Sequence, residues 1–294
     1  MNDDHMKVIA DLRYPLESRN PHDTDRWSQW RLLPMMEMSA LDTYHFVKTM
    51  IPQPKRRILE VGCGNGYLSL ELARDGHDVI GLDTSQEIIT VAERTKNAHP
   101  ASPHFGELTY CCADINTWQG AESSFDLVII NRTLHHLHQL HPTLAKVKRL
   151  LTSEGRFICQ DYAYDRFNDQ TASWMYAMQR LFFLSGLSDE DPATIADDTR
   201  SIEALRTAWF HRAEQRAHRL NRYDEMLQAF QTTFHQQFVS WVPYLFVYMG
   251  NALRETSPEQ THALIAFLKN MEQHLIAKEY IQAVGFRYVG TVRA

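Results

Sequence analysis

The stretch ILEVGCGNGYLSLELARDGHDVIGLD, residues 58–83, carries three glycines in five positions directly after an apolar run. A glycine-rich turn between a strand and a helix lets the backbone approach a ligand closely, because glycine has no Cβ. Asp83 ends a second apolar run, where an acidic side chain can hydrogen-bond ribose hydroxyls. The stretch therefore predicts a strand, a ligand loop, a helix and a second strand, with an adenosine-containing ligand at the loop.

The spacing of the glycines argues against a dinucleotide. A dinucleotide loop reads G-x-G-x-x-G, but here the third glycine, Gly66, comes one position early and Tyr67 takes the place reserved for glycine. Glu60 precedes the loop by two positions. An acid at that place suits a ligand with a cationic part better than one that brings two phosphates.

Composition and charge narrow the class of protein. The chain has 294 residues, 44% of them hydrophobic, and a net charge of −6, which argues mildly against nucleic-acid binding. The N-terminus lacks the apolar region of a signal peptide, and no apolar run is long enough to span a membrane. The four cysteines do not have the spacing of a zinc site. His135 and His138 are spaced as two metal ligands could be, but the sequence shows no further metal ligand to join them. We expect a cytoplasmic protein with reduced thiols and no metal.

Apolar strands and amphipathic helices alternate over residues 58–164, which is typical of βαβ units and a parallel sheet covered on both faces. The helix before the fifth strand is predicted to end near Gly155. Residues 165–233 have helical spacing throughout and are too long for an ordinary connection. Strand character returns at 234–243 and 285–294. The predicted segments are a helical lid (1–57), a core (58–164), a helical substrate cap (165–233) and strands with a helix that complete the sheet (234–294).

Four motifs together resemble the class I S-adenosylmethionine-dependent methyltransferases over roughly residues 56–164. They are LEVGCGNG, the Asp83 strand end, CCADI and FDLVIINRTLHHL, and the final GFRYVG strand is similar in kind. The resemblance implies an α/β fold with a Rossmann-like, seven-stranded, mostly parallel sheet, an N-terminal helical lid and a helical insertion. It also implies S-adenosylmethionine as the cofactor.

The resemblance assigns cofactor contacts position by position. The loop would hold the methionine part and its ammonium, Asp83 the ribose, Asp114 and Ile115 the adenine, and the end of strand four the region of the methyl group; Thr84 is a further expected cofactor contact. The residues are Glu60, Gly62, Gly64, Asn65, Gly66, Asp83, Thr84, Asp114, Ile115, Asn131 and Arg132.

Methyl transfer needs an aligned nucleophile, exclusion of water and, for a protonated nucleophile, a base. His136 follows strand four at the edge where ligands bind in open α/β sheets, so it is a candidate base or substrate contact. Asp161 and Tyr162 end strand five at the same edge and complete the catalytic candidates. Capping or packing roles for these residues remain open.

Aromatic residues supply the substrate candidates, because aromatic faces attract cations and exclude water. They are Tyr14, Trp27, Trp30, Tyr164, Trp241 and Tyr244. The segment RTAWFHRAEQRAHRLNR, residues 206–222, is either part of a pocket for an anionic substrate or a solvated helix face.

The predicted function is transfer of a methyl group to an N, O or S atom of a small-molecule metabolite, by a monomer or homodimer. An RNA or protein methyltransferase is the first alternative; the chain after strand four reads Asn131-Arg132-Thr133-Leu134 and lacks the N/D-P-P-Y/F motif of many such enzymes. An inactive cofactor-binding scaffold and a nicotinamide oxidoreductase are the others, and Tyr67 argues against the last.

Overall fold

The computed structural model describes residues 32–51, 55–98, 104–214, 220–254 and 256–293. Three of the predicted substrate contacts, Tyr14, Trp27 and Trp30, lie outside the described residues. Within the described ranges, no helix is long and apolar enough to cross a membrane.

Seven strands form one sheet in the order β3-β2-β1-β4-β5-β7-β6. They are β1 Arg57–Val61, β2 Asp78–Asp83, β3 Leu108–Cys112, β4 Phe125–Asn131, β5 Leu151–Tyr162, β6 Phe234–Val242 and β7 Gly285–Val292. Strands β1 to β5 are parallel, and β7 runs antiparallel between β5 and β6. The strand order reverses between β1 and β4, which places a ligand crevice at their carboxyl ends. The predicted fold class is confirmed.

The helices of the described residues are α1 Leu33–Met36, α2 Asp42–Met50, α3 Tyr67–Arg74, α4 Gln86–Ala98, α5 Leu140–Leu150, α6 Asp169–Leu184, α7 Asp198–Glu214, α8 Tyr223–Thr233, α9 Leu245–Asn251 and α10 Pro258–Ala277. A π turn at Glu37–Leu41 joins α1 to α2, and 3-10 turns lie at Leu134–His136 and Tyr164–Arg166.

Alternation along the strands builds a core on each face of the sheet. Ile58 packs with α2, α3 and α4 on one face, and the next residue, Leu59, packs with α5 and α8 on the other. A third apolar cluster joins α6, α7, α9 and α10 and begins at Tyr162 and Phe167, just where β5 ends. The third cluster, which we call the cap, therefore lies at the carboxyl edge of the sheet.

The fifth strand begins earlier than the sequence predicts. Helix α5 ends at Leu150 and β5 starts at Leu151, so the helix predicted to reach Gly155 is wrong over its last residues. The cause is pairing between distant residues: Leu151 lies opposite Phe125 in β4, and Ser124 N–H donates to the Leu150 carbonyl at 2.9 Å.

The predicted helical stretch 165–233 divides into α6, α7 and α8, and the third of these has a different position. Phe230 of α8 lies 5.5 Å from Phe157 and 4.3 Å from Tyr288, ring centroid to ring centroid. Since Phe157 belongs to β5 and Tyr288 to β7, helix α8 covers the sheet itself, while α6 and α7 belong to the cap together with α9 and α10.

Candidate functional site

A cavity of about 490 Å³ opens at the carboxyl ends of β1, β2, β3 and β4. Seven of the residues that line it are Gly62, Asp83, Thr84, Asp114, Ile115, Thr133 and His136. All but Thr133 are predicted cofactor or catalytic residues. The geometry therefore brings residues from four separate strand ends to one crevice.

The glycine loop has a backbone that other residues adopt only with strain. Gly62, Gly64 and Gly66 have φ of 73°, 54° and 78°. A Cβ on Gly62 would stand 2.2 Å from Thr133 Oγ1, and a Cβ on Gly66 would stand 2.4 Å from the Tyr110 hydroxyl. A Cβ on Gly64 would meet nothing within 4 Å, so Gly64 faces open space.

Asp83 connects the second strand to the glycine loop. Its Oδ2 accepts a hydrogen bond from Gly64 N–H and its Oδ1 accepts one from Ser85 N–H, both at 3.0 Å. Two fixed backbone donors hold the carboxylate in place, with Thr84, which is exposed, beside it at the rim. A ligand hydroxyl would meet a preoriented acceptor here.

Asp114 and Ile115 follow β3, the neighbour of β2, and line the same cavity. Asp114 Oδ1 accepts from Asn116 N–H at 2.8 Å, which closes a turn. Ile115 is buried and also lines the cavity, so it offers an apolar surface next to a carboxylate.

Glu60 lies beneath the loop and is not among the cavity's lining residues. It is buried, and Ser69 Oγ donates to its Oε2 at 2.5 Å. Burial raises the pKa of Glu60 to about 8, although the Ser69 hydrogen bond opposes the shift. The Oδ1 atom of Asn65, in the loop, is buried without a hydrogen-bond partner among the described residues.

Asn131 and Arg132 end β4 but point to different places. Asn131 Nδ2 donates to the Tyr67 hydroxyl at 3.2 Å, and its Oδ1 is buried without a partner among the described residues. Arg132 lines a second, small cavity of about 10 Å³ together with Ser39, Asp161 and Tyr244. The predicted cofactor role of Arg132 thus has no support from its position.

A buried pair joins the ends of β4 and β5. His135 Nδ1 lies 2.5 Å from Asp161 Oδ1, and both side chains are almost fully buried. The His135 ring lies 3.9 Å from that of His136 and 4.2 Å from that of Tyr162. Sequence reasoning selected His136 and missed His135 as a partner of Asp161. The signal was available in the order of the strands, because residues that follow neighbouring parallel strands meet at one edge.

The three described substrate candidates separate. Tyr244 lines the small cavity and stacks on Tyr162 at 5.2 Å. Tyr164 is buried in the cap, where its hydroxyl donates to the Leu220 carbonyl at 3.3 Å. Trp241 packs on the face of the sheet that α5 and α8 cover, and its ring lies 4.7 Å from that of Tyr223. Of the three, Tyr244 lines the small cavity.

Comparison with known proteins identifies the family. The sequence model of a family described as a methyltransferase domain matches residues 52–229. A malonyl-[acyl-carrier protein] O-methyltransferase of Bacillus cereus is 26% identical over 125 residues, 42% of this chain and 44% of the relative. An uncharacterized methyltransferase of Mycobacterium tuberculosis is 31% identical over 107 residues, 36% of this chain and 50% of the relative. The chain spans about half the length of the curated relatives it matches.

Solved structures share the fold. A geranyl diphosphate C-methyltransferase from Streptomyces coelicolor superposes with a TM-score of 0.55 at 11% identity, covering 90% of this chain and 85% of that one. An S-adenosylmethionine-dependent methyltransferase from Methanosarcina mazei has a TM-score of 0.51 at 16% identity, covering 84% and 96%. At these identities the likeness concerns the fold.

Proposed function

Since the chain belongs to the family of S-adenosylmethionine-dependent methyltransferases, we propose that it moves a methyl group to an N, O or S atom of a small-molecule metabolite. The observation that carries the proposal is the cavity of about 490 Å³ at the ends of β1 to β4, with the cap at the end of β5 on the same edge of the sheet. Helices at this edge favour a small acceptor, because a polymer would need an open groove.

The residues present fit the cofactor. Gly64 leaves free space where any side chain would intrude, and Asn65 has a buried oxygen that lacks a donor among the described residues. Asp83 offers an oriented carboxylate to a ribose, while Asp114 and Ile115 offer an acceptor and an apolar face to a purine. We assign these five residues to cofactor binding.

S-adenosylmethionine supplies a methyl group on a sulfonium, and the departing thioether needs no acid. The chain therefore has to hold the acceptor in line, exclude water and remove a proton where the acceptor carries one. His136 lines the cavity and is the proposed proton acceptor. Asp161 is buried against His135, so we assign it a positioning role behind His136.

Tyr162 also belongs to this supporting wall. Its ring lies between His135 at 4.2 Å and Tyr244 at 5.2 Å. His135 meets the Tyr162 ring edge-on and Tyr244 stacks on it, so its rotation is restricted on both sides. We therefore expect Tyr162 to shape the acceptor side and not to take a proton.

Parallel calorimetric titrations with S-adenosylmethionine, S-adenosylhomocysteine and NADH test the cofactor. Micromolar binding of the first two and no heat with NADH is the expected result. Binding of NADH alone would overturn the proposal in favour of an oxidoreductase. Turnover is then screened with small N, O and S nucleophiles, and with RNA and an acyl-carrier protein as the macromolecular alternatives; methylation of a macromolecule alone would overturn the small-molecule assignment.

A further inference from the structure

Two consecutive residues of the chain line different cavities. Thr133 lines the large cavity, and Arg132, one residue earlier, lines the small one. Arg132 has a φ of 52°, in the left-handed region that residues with a Cβ rarely adopt. Strained backbone of this kind clusters at functional sites. The conformation separates the Arg132 side chain from the cofactor crevice.

Among the described residues, no carboxylate forms an ion pair with the guanidinium of Arg132. One terminal nitrogen donates to Ser39 Oγ, and the guanidinium carbon lies 5.5 Å from the centre of the Tyr244 ring. The Nε atom is buried without a hydrogen-bond partner among the described residues. Leaving a buried donor on a charged group unsatisfied is costly, so the arrangement favours an anionic ligand.

Both carboxylates that line the small cavity already have cationic or polar partners. Asp42 accepts from Arg287 at 2.7 Å and lies 3.6 Å from Lys269 Nζ. Asp161 contacts His135 at 2.5 Å and accepts from Tyr162 N–H at 2.8 Å. No ion pair joins either aspartate to Arg132 within the described ranges.

We propose that Arg132 binds a carboxylate of the methyl acceptor in the small cavity, an inference that rests on the proposed small-molecule function. The space admits about one oxygen-sized group, which suits one carboxylate oxygen. A phosphate brings more negative charge and three acceptor oxygens next to two aspartates, and fits less well. The acceptor is the source because Arg132 lies off the cofactor cavity and next to Tyr244 and Asp161.

The test uses Arg132→Met, with Arg132→Lys to retain the charge and Arg206→Met as the control. Arg206 pairs with Asp169 at 2.8 Å on the exposed side of the cap. Calorimetry first compares S-adenosylhomocysteine with methylthioadenosine, which lacks the amino-acid part. The protein loaded with S-adenosylhomocysteine is then titrated with malonate and benzoate, and with malonamide and benzamide as uncharged matches.

We expect Arg132→Met to bind both nucleosides as the unsubstituted protein does and to lose affinity for a carboxylate about tenfold or more. The Arg132→Lys variant should lose less of its affinity for a carboxylate, and Arg206→Met should keep all of it. The uncharged amides should not bind to any of these proteins. If Arg132→Met binds S-adenosylhomocysteine more weakly but binds methylthioadenosine with unchanged affinity, Arg132 contacts the cofactor carboxylate and the inference is overturned. Absent carboxylate binding, or equal binding by Arg132→Met, would also overturn it. Failure of the unsubstituted protein to bind S-adenosylhomocysteine would instead defeat the proposed function.

Discussion

At the scale of single residues, Asp83 both holds the glycine loop and lines the large cavity. Its two oxygens accept from Gly64 N–H and Ser85 N–H, and the same carboxylate faces the cavity. An amide in its place keeps the shape but loses the charge and half of the accepting capacity.

Asp83→Asn should weaken S-adenosylhomocysteine binding by about 1–3 kcal/mol, the range of a lost charge-assisted hydrogen bond. Calorimetric titration measures it. Asp126→Asn is the matched control, because Asp126 also accepts a backbone N–H, from Arg57 at 2.9 Å, but lies at the opposite end of the sheet. Equal affinity in both variants would remove Asp83 from the cofactor site.

Glu60 is expected to couple cofactor binding to the release of a proton. Burial raises its pKa to about 8, so the carboxyl is mainly protonated at neutral pH. An ammonium bound at the glycine loop would favour the charged carboxylate and lower that pKa. We predict that binding of S-adenosylhomocysteine at pH 7 releases up to about one proton, measured by calorimetry in buffers of different ionisation enthalpy. Glu60→Gln should abolish the release; the same release in that variant would contradict the prediction.

Glu60 should also make the stability of the cofactor-free protein depend on pH. Because its pKa is raised from 4.5 to about 8, the contribution of the neutral form to stability is fully present below 4.5 and is lost as the pH rises through about 8. Chemical denaturation across this pH range should therefore show that the free energy of unfolding of the unsubstituted protein falls as the pH rises. The Glu60→Gln variant should not show this fall.

At the scale of elements, the loop between β1 and α3 separates folding from binding. Gly66 packs against Tyr110, whose hydroxyl donates to the Gly66 carbonyl at 2.7 Å, whereas Gly64 faces free space. The two glycines share a positive φ, so the strain of a substitution is similar at both.

Gly64→Ala and Gly66→Ala should therefore differ in kind. Each loses about 1 kcal/mol to the left-handed backbone, but Gly66→Ala also displaces Tyr110 and should lose more stability in chemical denaturation. Gly64→Ala should lose more of its S-adenosylhomocysteine affinity than of its stability, since the methyl group enters the ligand's space. Unchanged affinity in Gly64→Ala would place the ligand elsewhere.

At the scale of the whole molecule, the C-terminal helix α10 supports the acceptor side from far along the chain. Glu272 is fully buried and accepts from the N–H groups of Tyr244, Leu245 and Phe246 at 2.8, 2.9 and 2.8 Å. One turn earlier, Lys269 donates to the Met38 carbonyl at 2.6 Å. The two side chains hold opposite walls of the small cavity.

Glu272→Gln should lower the free energy of unfolding by about 1–3 kcal/mol, because an amide NH₂ faces a backbone donor and one bond is lost. Amide hydrogen exchange should become faster at residues 244–246. Glu259→Gln, exposed in the first turn of the same helix, is the control. Exchange that stays slow at these amides would show that Glu272 does not hold the Tyr244 wall.

Local patterns were sufficient for the elements and the loop. Short apolar runs between amphipathic helices predicted the strands, and the glycine spacing with Glu60 and Tyr67 predicted a ligand other than a dinucleotide. They failed where distant chain segments compete: Leu151 joins β5 because Phe125 pairs with it, and no helical propensity at residues 151–155 reveals that partner.

The sequence by itself determined the family, the parallel core and the strand-end residues that line the large cavity, because these depend on short-range periodicity and on glycine's backbone freedom. Only the tertiary structure decided that His135 pairs with Asp161, that Trp241 and Tyr244 belong to different apolar clusters, and that Arg132 lines the small cavity. Those outcomes depend on which strands become neighbours and on a single positive φ at Arg132. Both result from packing across the whole chain.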